Sequence, residues 1–349
     1  MCQYSALGRD GVATPWHHVH LGALAAGGAG LVIVEATAVE PEGRITVHDL
    51  GLWNEQQAHA LAPIVDFMKS QGAVAGIQLG HAGRKASVWP DWGSPGQLGT
   101  MPESEGGWQT IAPSAIAFPG YVDPREMTTD DIDRVVTAFV AASSRAVSVG
   151  FQVVEIHAAH GYLIHEFLSP LSNDRTDEYG GSLENRSRLL LRIIEGVRDA
   201  IGEQNVLFVR FSATDWVEDG WTKEETAVVA QWAVDQGADM FDISSGGNIT
   251  GVKIPVEQGY QVPLSAFLKD EAHVETAAVG LITEAAFANS VIVEGRADAV
   301  LLGRESLRDP HWTLRASTAL GVDIDYWPPQ YLRAKPKLDG PPASVPRVN

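Results

Sequence analysis

Polar side chains stand at the ends of several apolar runs that the sequence predicts to be buried strands. Two histidines, one arginine and one glutamine are among them, and these residue types suit hydrogen bonding to a polar heterocycle and to an oxyanion. Two histidines can also ligate zinc, but no obvious position supplies a third ligand, so we predict no metal site. The polar and glycine positions at these strand ends are Glu35–Ala36, Gln78, His157 to His160, Arg210, Ser244 to Gly246, Gly280 and Gly303–Arg304.

The strands that must position these side chains are short and apolar without polar alternation, as expected where helices cover both faces of a sheet. Helical stretches follow them, and a repeated βα order predicts parallel strands joined by right-handed crossovers. No G-x-G-x-x-G motif opens a helix after a strand, which argues against a dinucleotide-binding Rossmann domain. The predicted strands are Leu31–Val34, Val74–Leu79, Val153–His157, Val206–Phe211, Met240–Ser244, Ala278–Ile282 and Ala299–Leu302. The predicted helices are Trp16–Ala26, Gln56–Ser70, Thr128–Val149, Leu183–Ala200, Lys223–Asp235 and Glu284–Glu294.

This count predicts an α/β fold of the (β/α)8 TIM-barrel type, in which active sites lie at the C-terminal ends of the strands. Seven strands are one too few, and the helix-first start of the chain predicts that the first strand lies upstream of residue 1. An open seven-stranded sheet is the alternative. We expect one domain over residues 1–334, with Ala82–Met127 as a lid or excursion. The Pro-rich tail, residues 335–349, is predicted to be disordered.

The overall composition excludes several classes of function. Lys and Arg total 25 against 44 Asp and Glu, a net charge of -19, which argues against binding to nucleic acid or to an anionic membrane. The single cysteine excludes an intramolecular disulfide and a multi-cysteine metal site. No apolar run approaches the roughly 20 residues of a membrane-spanning helix, and no signal peptide is recognisable. These features predict a cytoplasmic protein.

The segment from Glu155 to Arg186, EIHAAHGYLIHEFLSPLSNDRTDEYGGSLENR, resembles the central signature of the Old Yellow Enzyme family of flavin-dependent ene-reductases. The similarity extends in order along nearly the whole chain and favours the bacterial subclass of xenobiotic reductases and NADPH dehydrogenases. It implies FMN as cofactor, NADPH as reductant and a small-molecule activated alkene as acceptor. The other matching segments are MCQYS at Met1, VEATAVEPEGR at Val34, GIQLGHAGRKA at Gly76, FVRFSA at Phe208 and GRESLRDP at Gly303.

The resemblance also implies a role for individual residues. His157 and His160 match the paired donors to the substrate carbonyl, and Tyr162 matches the residue that protonates the α-carbon. Tyr4 matches a residue of the substrate pocket. Arg210 and Gln78 match residues that hold the flavin ring, and Gly303–Arg304 matches the phosphate site. The implied FMN contacts are Cys2, Ala36, Gln78, Arg210, Gly303 and Arg304.

Tyr331-Leu332-Arg333 resembles the C-terminal segment that the subclass contributes across its subunit interface. The resemblance therefore implies a homodimer or homotetramer in which Arg333 reaches the substrate site of a neighbour. The charged run Arg175–Arg186 is interpreted differently, as a tight turn followed by a helix start, and thus as scaffold.

Two rival functions remain open from the sequence alone. A barrel without its first strand would have unpaired backbone groups at two edges, so a flavin-binding barrel with little or no turnover is one alternative. On this view the 349-residue chain holds FMN weakly and aggregates. A 2,4-dienoyl-thioester reductase, whose first domain is a related barrel, is disfavoured because cysteines for an iron–sulfur cluster and a second nucleotide domain are absent from the sequence.

Overall fold

A parallel seven-stranded sheet is the centre of the protein in the computed structural model, which describes residues 1–92 and 96–337. The strands within these residues are β1 (Leu31–Ala38), β2 (Val74–Gly80), β3 (Ile111–Ala112), β4 (Arg125–Glu126), β5 (Val153–Ala158), β6 (Val206–Ser212), β7 (Met240–Ser244), β8 (Thr276–Ala278) and β9 (Ala299–Val300). The large sheet has the order β1-β2-β5-β6-β7-β8-β9, and β3 and β4 pair separately. Because all seven strands are parallel, their carboxyl ends lie along one edge.

Helices precede, connect and follow the strands of this sheet. They are α1 (Pro15–Ala26), α2 (Glu55–Ser70), α3 (Thr129–Ser148), α4 (Leu163–Leu168), α5 (Leu183–Ile201), α6 (Lys223–Asp235), α7 (Val262–Ala272), α8 (Ala285–Val293), α9 (Arg304–Arg308) and α10 (Trp312–Ala319). Short 3-10 helices occupy Pro41–Gly43, Gly83–Lys85, Glu103–Glu105 and Pro329–Ala334.

The sequence shows why the long helices begin where they do. Thr128 accepts a hydrogen bond from the backbone of Asp131, whose carboxylate accepts one from the backbone of Thr128 in return. Thr222 and Glu225 form the same capping box at the start of α6. These reciprocal bonds satisfy backbone donors that a helix start leaves free. All six residues of β5 are buried, as predicted for a strand covered on both faces.

All seven predicted strands correspond to strands of the sheet, but several boundaries are wrong, and β1 continues beyond the predicted Val34 to Ala38. The strand predicted at Ala278–Ile282 is β8, which ends at Ala278. Gly280 and Leu281 have φ values of 127° and 50°, which are incompatible with extended strand backbone. β9 is likewise shorter than predicted, and the sequence prediction missed the helices α4, α7, α9 and α10.

The stretch Ala82–Met127 is more ordered than a simple loop, since it contains two 3-10 helices and the β3–β4 pair. Residues 93–95 within it lie outside the described residues, as do residues 338–349, which make up most of the tail predicted to be disordered. Within the described residues, β1 and β9 each have one hydrogen-bonded neighbour. Closure of the sheet by an eighth strand therefore stays a prediction. None of the helices in the described ranges is long and apolar enough to cross a membrane.

Candidate active site

The sheet register brings the predicted polar side chains together at the carboxyl edge. His157 in β5 lies opposite Arg210 in β6, and Arg210 lies opposite Asp242 in β7. Gln78 in β2 lies opposite Glu155 in β5. Side chains from four neighbouring strands therefore converge, as the argument from parallel strand ends predicts.

The two histidines form a close pair with Tyr162. The ring centroids of His157 and His160 are 5.1 Å apart at an interplanar angle of 87°, and those of His157 and Tyr162 are 5.1 Å apart at 78°. His157 is buried, and its Nδ1 has no hydrogen-bond partner within the described part of the chain. Three side chains with hydrogen-bonding capacity thus meet edge to face at one point.

The position of His160 depends on contacts from two other strands. Its backbone has a φ of 60°, in the left-handed region that residues with a Cβ rarely occupy. Its backbone N–H donates to Ser212 Oγ at 2.9 Å, and its Nε2 lies 2.7 Å from Ser244 Oγ in a hydrogen bond. Residues at the ends of β6 and β7 therefore hold both the backbone and the ring of His160.

Both histidines are held in the neutral form. Burial is the main cause that lowers the pKa of each ring well below its usual value, and the positive charge of Arg210 lowers it further. A neutral imidazole has one N–H donor and carries no charge of its own. This pair can therefore polarise a carbonyl oxygen without a protonated ring.

Tyr162 packs against an apolar cluster next to the histidine pair. Its ring packs with Cys2, Tyr4 and Trp108 against a buried group, Ile45, Ala82, Ala86 and Val88. Burial raises the pKa of the Tyr162 hydroxyl well above its usual value, so this group holds its proton throughout the physiological range. The structure thus places Tyr4, predicted to line the substrate pocket, near Tyr162.

Arg210 and Gln78 are each paired with a buried carboxylate. Arg210 Nε lies 2.9 Å from Asp242 Oδ2, an ion pair without the alignment of a hydrogen bond, and Gln78 Nε2 donates to Glu155 Oε1 at 2.6 Å. Burial, with the nearby charge of Asp242, raises the pKa of Glu155 to about 7. These partners restrict the orientations that the Arg210 and Gln78 side chains can take.

The other predicted cofactor residues fall in two places. The Cys2 thiol lies near the Ala36 backbone, and burial raises the pKa of that thiol well above its usual value. Gly303 precedes the short helix α9, and a Cβ at Gly303 would lie 3.4 Å from Met1 Sδ. Arg304, the first residue of α9, is exposed. The N-terminal segment therefore crosses the same edge that Ala36 and Gly303 occupy.

Arg333 lies apart from these residues. It belongs to the 3-10 helix Pro329–Ala334 and is exposed, as are its neighbours Tyr331 and Leu332. No described contact joins it to the histidine pair, so within one chain the structure does not bring Arg333 to the site.

Sequence reasoning missed several residues that hold the site together. Glu155 and Asp242 are acidic residues inside otherwise apolar strands, and that exception was a usable signal. Ser244 was predicted only as a strand end, and Lys85 was only one residue of the matching segment GIQLGHAGRKA. The position of Lys85 beside Tyr162 arises from tertiary packing. In the described residues no group of three or more His, Cys, Asp or Glu side chains has the arrangement of a metal site.

The charged run Arg175–Arg186 serves the scaffold, as its turn pattern indicates. Arg175 Nη1 donates to the carbonyls of Pro113 and Met127 at 2.8 and 2.7 Å. Asn173 Nδ2 donates to the carbonyls of Phe167 and Tyr179 at 2.7 and 2.8 Å. These side chains fasten the loop after α4 to the β3–β4 segment.

Comparison with known proteins adds independent information. Residues 1–322 match the NADH:flavin oxidoreductase / NADH oxidase family. An NADPH dehydrogenase of Geobacillus thermodenitrificans is 47% identical over 334 residues, which cover 95% of this chain and 92% of that protein. The NADPH dehydrogenase of Bacillus subtilis is 44% identical over 334 residues, with the same coverage of 95% and 92%.

Solved structures show the same relationship at lower identity. The Old Yellow Enzyme homologue of Zymomonas mobilis superimposes with a TM-score of 0.75 at 27% identity, covering 95% of this chain and 92% of that one. Morphinone reductase gives 0.74 at 25% identity, with 95% and 86% covered. A 2-naphthoyl-CoA reductase gives 0.81 at 26% identity, and this chain spans 50% of its length.

Proposed function

We propose that this flavin-dependent NADPH oxidoreductase reduces activated alkenes. The premise is that the chain belongs to the NADH:flavin oxidoreductase / NADH oxidase family, the family of the Old Yellow Enzymes. The acceptors are α,β-unsaturated carbonyl compounds and similar electrophiles. The observation that carries this proposal is the neutral pair His157–His160 beside Tyr162 at the carboxyl edge of the sheet.

The histidine pair suits a substrate carbonyl oxygen. As a hydride reaches the β-carbon of an enone, negative charge develops on that oxygen, and donors already in place stabilise it without reorganisation. The lowered pKa values of His157 and His160 keep both rings as neutral hydrogen-bond donors. We assign the two histidines to binding and polarising this oxygen.

Tyr162 suits proton donation to the α-carbon. Its pKa is raised well above the usual value, so its hydroxyl is protonated when the substrate binds. Breaking the O–H bond as the new C–H bond forms completes the saturated product, and water then restores the proton. Tyr4, on the same apolar cluster, would pack against the remainder of the substrate.

FMN, the family's cofactor, accepts a hydride from NADPH and delivers a hydride to an acceptor. The residues at the carboxyl edge fit it. Within the described residues the terminal amino groups of Arg210 make no hydrogen bond, so they are available to the electron-rich pyrimidine edge of the ring, and the Gln78 amide has donors and an acceptor for the same edge. We assign Arg210 and Gln78 to the ring.

We assign the remaining cofactor residues from their positions in the fold. Ala36 and Cys2 lie together at the end of β1, where a small residue and a neutral thiol leave room for a planar ring. Gly303 and Arg304 follow the last strand, where barrels commonly bind phosphate, and a guanidinium offers forked donors to its oxygens. On this proposal residues 1–334 act as one FMN-binding unit.

We also assign Arg333 to the substrate site of a neighbouring subunit in a homo-oligomer. Its exposure beside Tyr331 and Leu332, two exposed apolar side chains, suits a subunit contact.

The test separates the two half-reactions. The purified holoenzyme is reduced anaerobically with NADPH and then mixed with 2-cyclohexenone while the flavin absorbance is followed. We expect rapid reoxidation with formation of cyclohexanone. Reduction by NADPH without reoxidation by any enone, maleimide or nitroalkene of a panel would contradict alkene reduction and favour a flavin-binding protein without this turnover.

A further inference from the structure

One ammonium group connects the loop that carries His160 and Tyr162 to the neighbouring loop after β7. Lys85 Nζ donates to the backbone carbonyl of His160 at 2.8 Å and to that of Gly247 at 2.9 Å. It also lies 4.9 Å from the centroid of the Tyr162 ring and 4.7 Å from that of Phe118. A single half-buried lysine therefore contacts the loops after β5 and β7 and the ring of the proposed proton donor.

The backbone that Lys85 contacts is strained. His160 has a φ of 60°, and a Cβ placed on Gly247 would lie 2.8 Å from His160 Cα, so the two loops are in close contact. A left-handed residue with a side chain persists only where its surroundings hold it. Lys85 donates to a carbonyl on each side of this contact, which fits it to hold both loops.

The charges around Lys85 decide whether it is a cation. Burial lowers its pKa to about 8, Glu166 acts in the opposite direction, and the positive charge of Arg84 lowers it further. The charge of Lys85 in turn contributes to the lowered pKa values of His157 and His160. Within the described residues no carboxylate forms an ion pair with Lys85 Nζ, so its charge acts on the carbonyls and rings it contacts.

We propose that Lys85 is a positioning residue for proton transfer: its ammonium holds the His160 loop and stabilises the negative charge that develops on Tyr162. The inference rests on the proposed alkene reduction. As Tyr162 gives its proton to the α-carbon, its ring becomes anionic, and a cation over an anionic ring is held more strongly than one over a neutral ring. Lys85 therefore favours the products of proton transfer.

The variants K85M and K85R separate charge from bulk. Methionine keeps the length of the side chain without the cation, and arginine keeps the cation. K223M is the matched control, because Lys223 Nζ lies 4.0 Å from the ring of Phe267 in a comparable cation–aromatic contact of α6 and α7. FMN content and thermal midpoint of each holoenzyme establish that it is folded.

Stopped-flow reoxidation by 2-cyclohexenone, measured from pH 6 to 10, gives the main result. We expect K85M to be reoxidised on the order of tenfold more slowly at pH 7, with a larger solvent deuterium isotope effect, while reduction by NADPH changes less. K85R retains most of the rate, and K223M behaves as wild type.

The pH profile identifies the group responsible. The wild-type rate is expected to fall above about pH 8 as Lys85 loses its proton. This fall is absent from K85R and K85M, because neither variant has a group at position 85 that loses a proton in this range. A fall that persists unchanged in K85R would overturn the assignment to Lys85.

Hydrogen exchange, which needs no substrate, tests whether Lys85 holds the His160 loop in place. Amides of the peptide around residues 159–162 should exchange faster in K85M than in wild type or K85R. Wild-type exchange and a wild-type reoxidation rate in K85M would overturn this proposal and leave the proposed function intact. A wild-type protein whose reduced flavin no alkene reoxidises would instead overturn the proposed function and, with it, the charge-stabilising half of this one.

Discussion

At the scale of single residues, the site depends on neutral groups held in place by buried neighbours. His157 and His160 are neutral because burial and Arg210 lower their pKa values, and His160 keeps its orientation through Ser212 and Ser244. For His160, the cause of the neutral state is therefore separate from the contacts that fix the position of the ring.

Replacement of either histidine should affect one half-reaction selectively. We expect H157A and H160A each to slow reoxidation by an enone roughly 100- to 1,000-fold, the effect of losing one oxyanion donor, and to slow reduction by NADPH far less. Stopped-flow absorbance measures both steps, and H59A on the exposed face of α2 is the control. Equal slowing of the two steps would assign the histidines to flavin positioning instead.

The buried carboxyl of Glu166 should make stability depend on pH. Burial raises its pKa from 4.5 to about 8, so between these values the folded chain keeps a proton that the unfolded chain has released. The contribution of Glu166 to the free energy of unfolding therefore falls as pH rises from about 5 to 8. Urea unfolding should show that E166Q gains stability relative to wild type over this interval. A difference between the two proteins that does not change with pH would contradict this.

At the scale of elements, one glycine determines how the end of β2 meets α4. Gly83 has a φ of 60°, and a Cβ there would lie 2.3 Å from Glu166 Oε1, which accepts a hydrogen bond from the Arg84 backbone at 2.9 Å. Gly181, in the turn before α5, also has a positive φ, 81°, but a Cβ there meets nothing within 4 Å.

Alanine variants of these two glycines distinguish the energetic cost of backbone strain from that of steric overlap. We expect G181A to lose about 1–2 kcal/mol of unfolding free energy, the cost of the left-handed conformation alone. G83A should lose clearly more, because its methyl group also displaces the Glu166 carboxylate. Urea denaturation of both variants measures the difference, and equal losses would show that the carboxylate moves away without cost.

At the scale of the whole molecule, the proposed homo-oligomer predicts a function for Arg333, which lies apart from the candidate active site of its own chain. We expect light scattering to detect a dimer or larger assembly. R333A should raise the KM for an enone roughly tenfold or more, the effect of a lost charge-assisted hydrogen bond, without changing the measured mass. A fully active monomer would end this assignment.

Much of the architecture follows from the sequence alone. Apolar runs without alternation, separated by capped helices, predict a parallel sheet, and parallel strands place their carboxyl ends at one edge. Strand order and strand ends are therefore enough to predict that His157, Gln78 and Arg210 share one site. The resemblance then supplied the flavin and the nicotinamide, which the family match supports.

Other features of the protein depend on tertiary structure, because local sequence patterns carry no information about them. The end of β8 depends on Gly280 and Leu281, whose backbone angles are set by their surroundings and not by the apolar run in which they lie. The ion pair of Arg210 with Asp242 and the contact of Lys85 with Tyr162 join residues 32 and 77 positions apart. Side chains so distant in sequence meet only when strand register and loop packing are complete, so the sequence determined which groups reach the edge and the fold determined which groups hold them there.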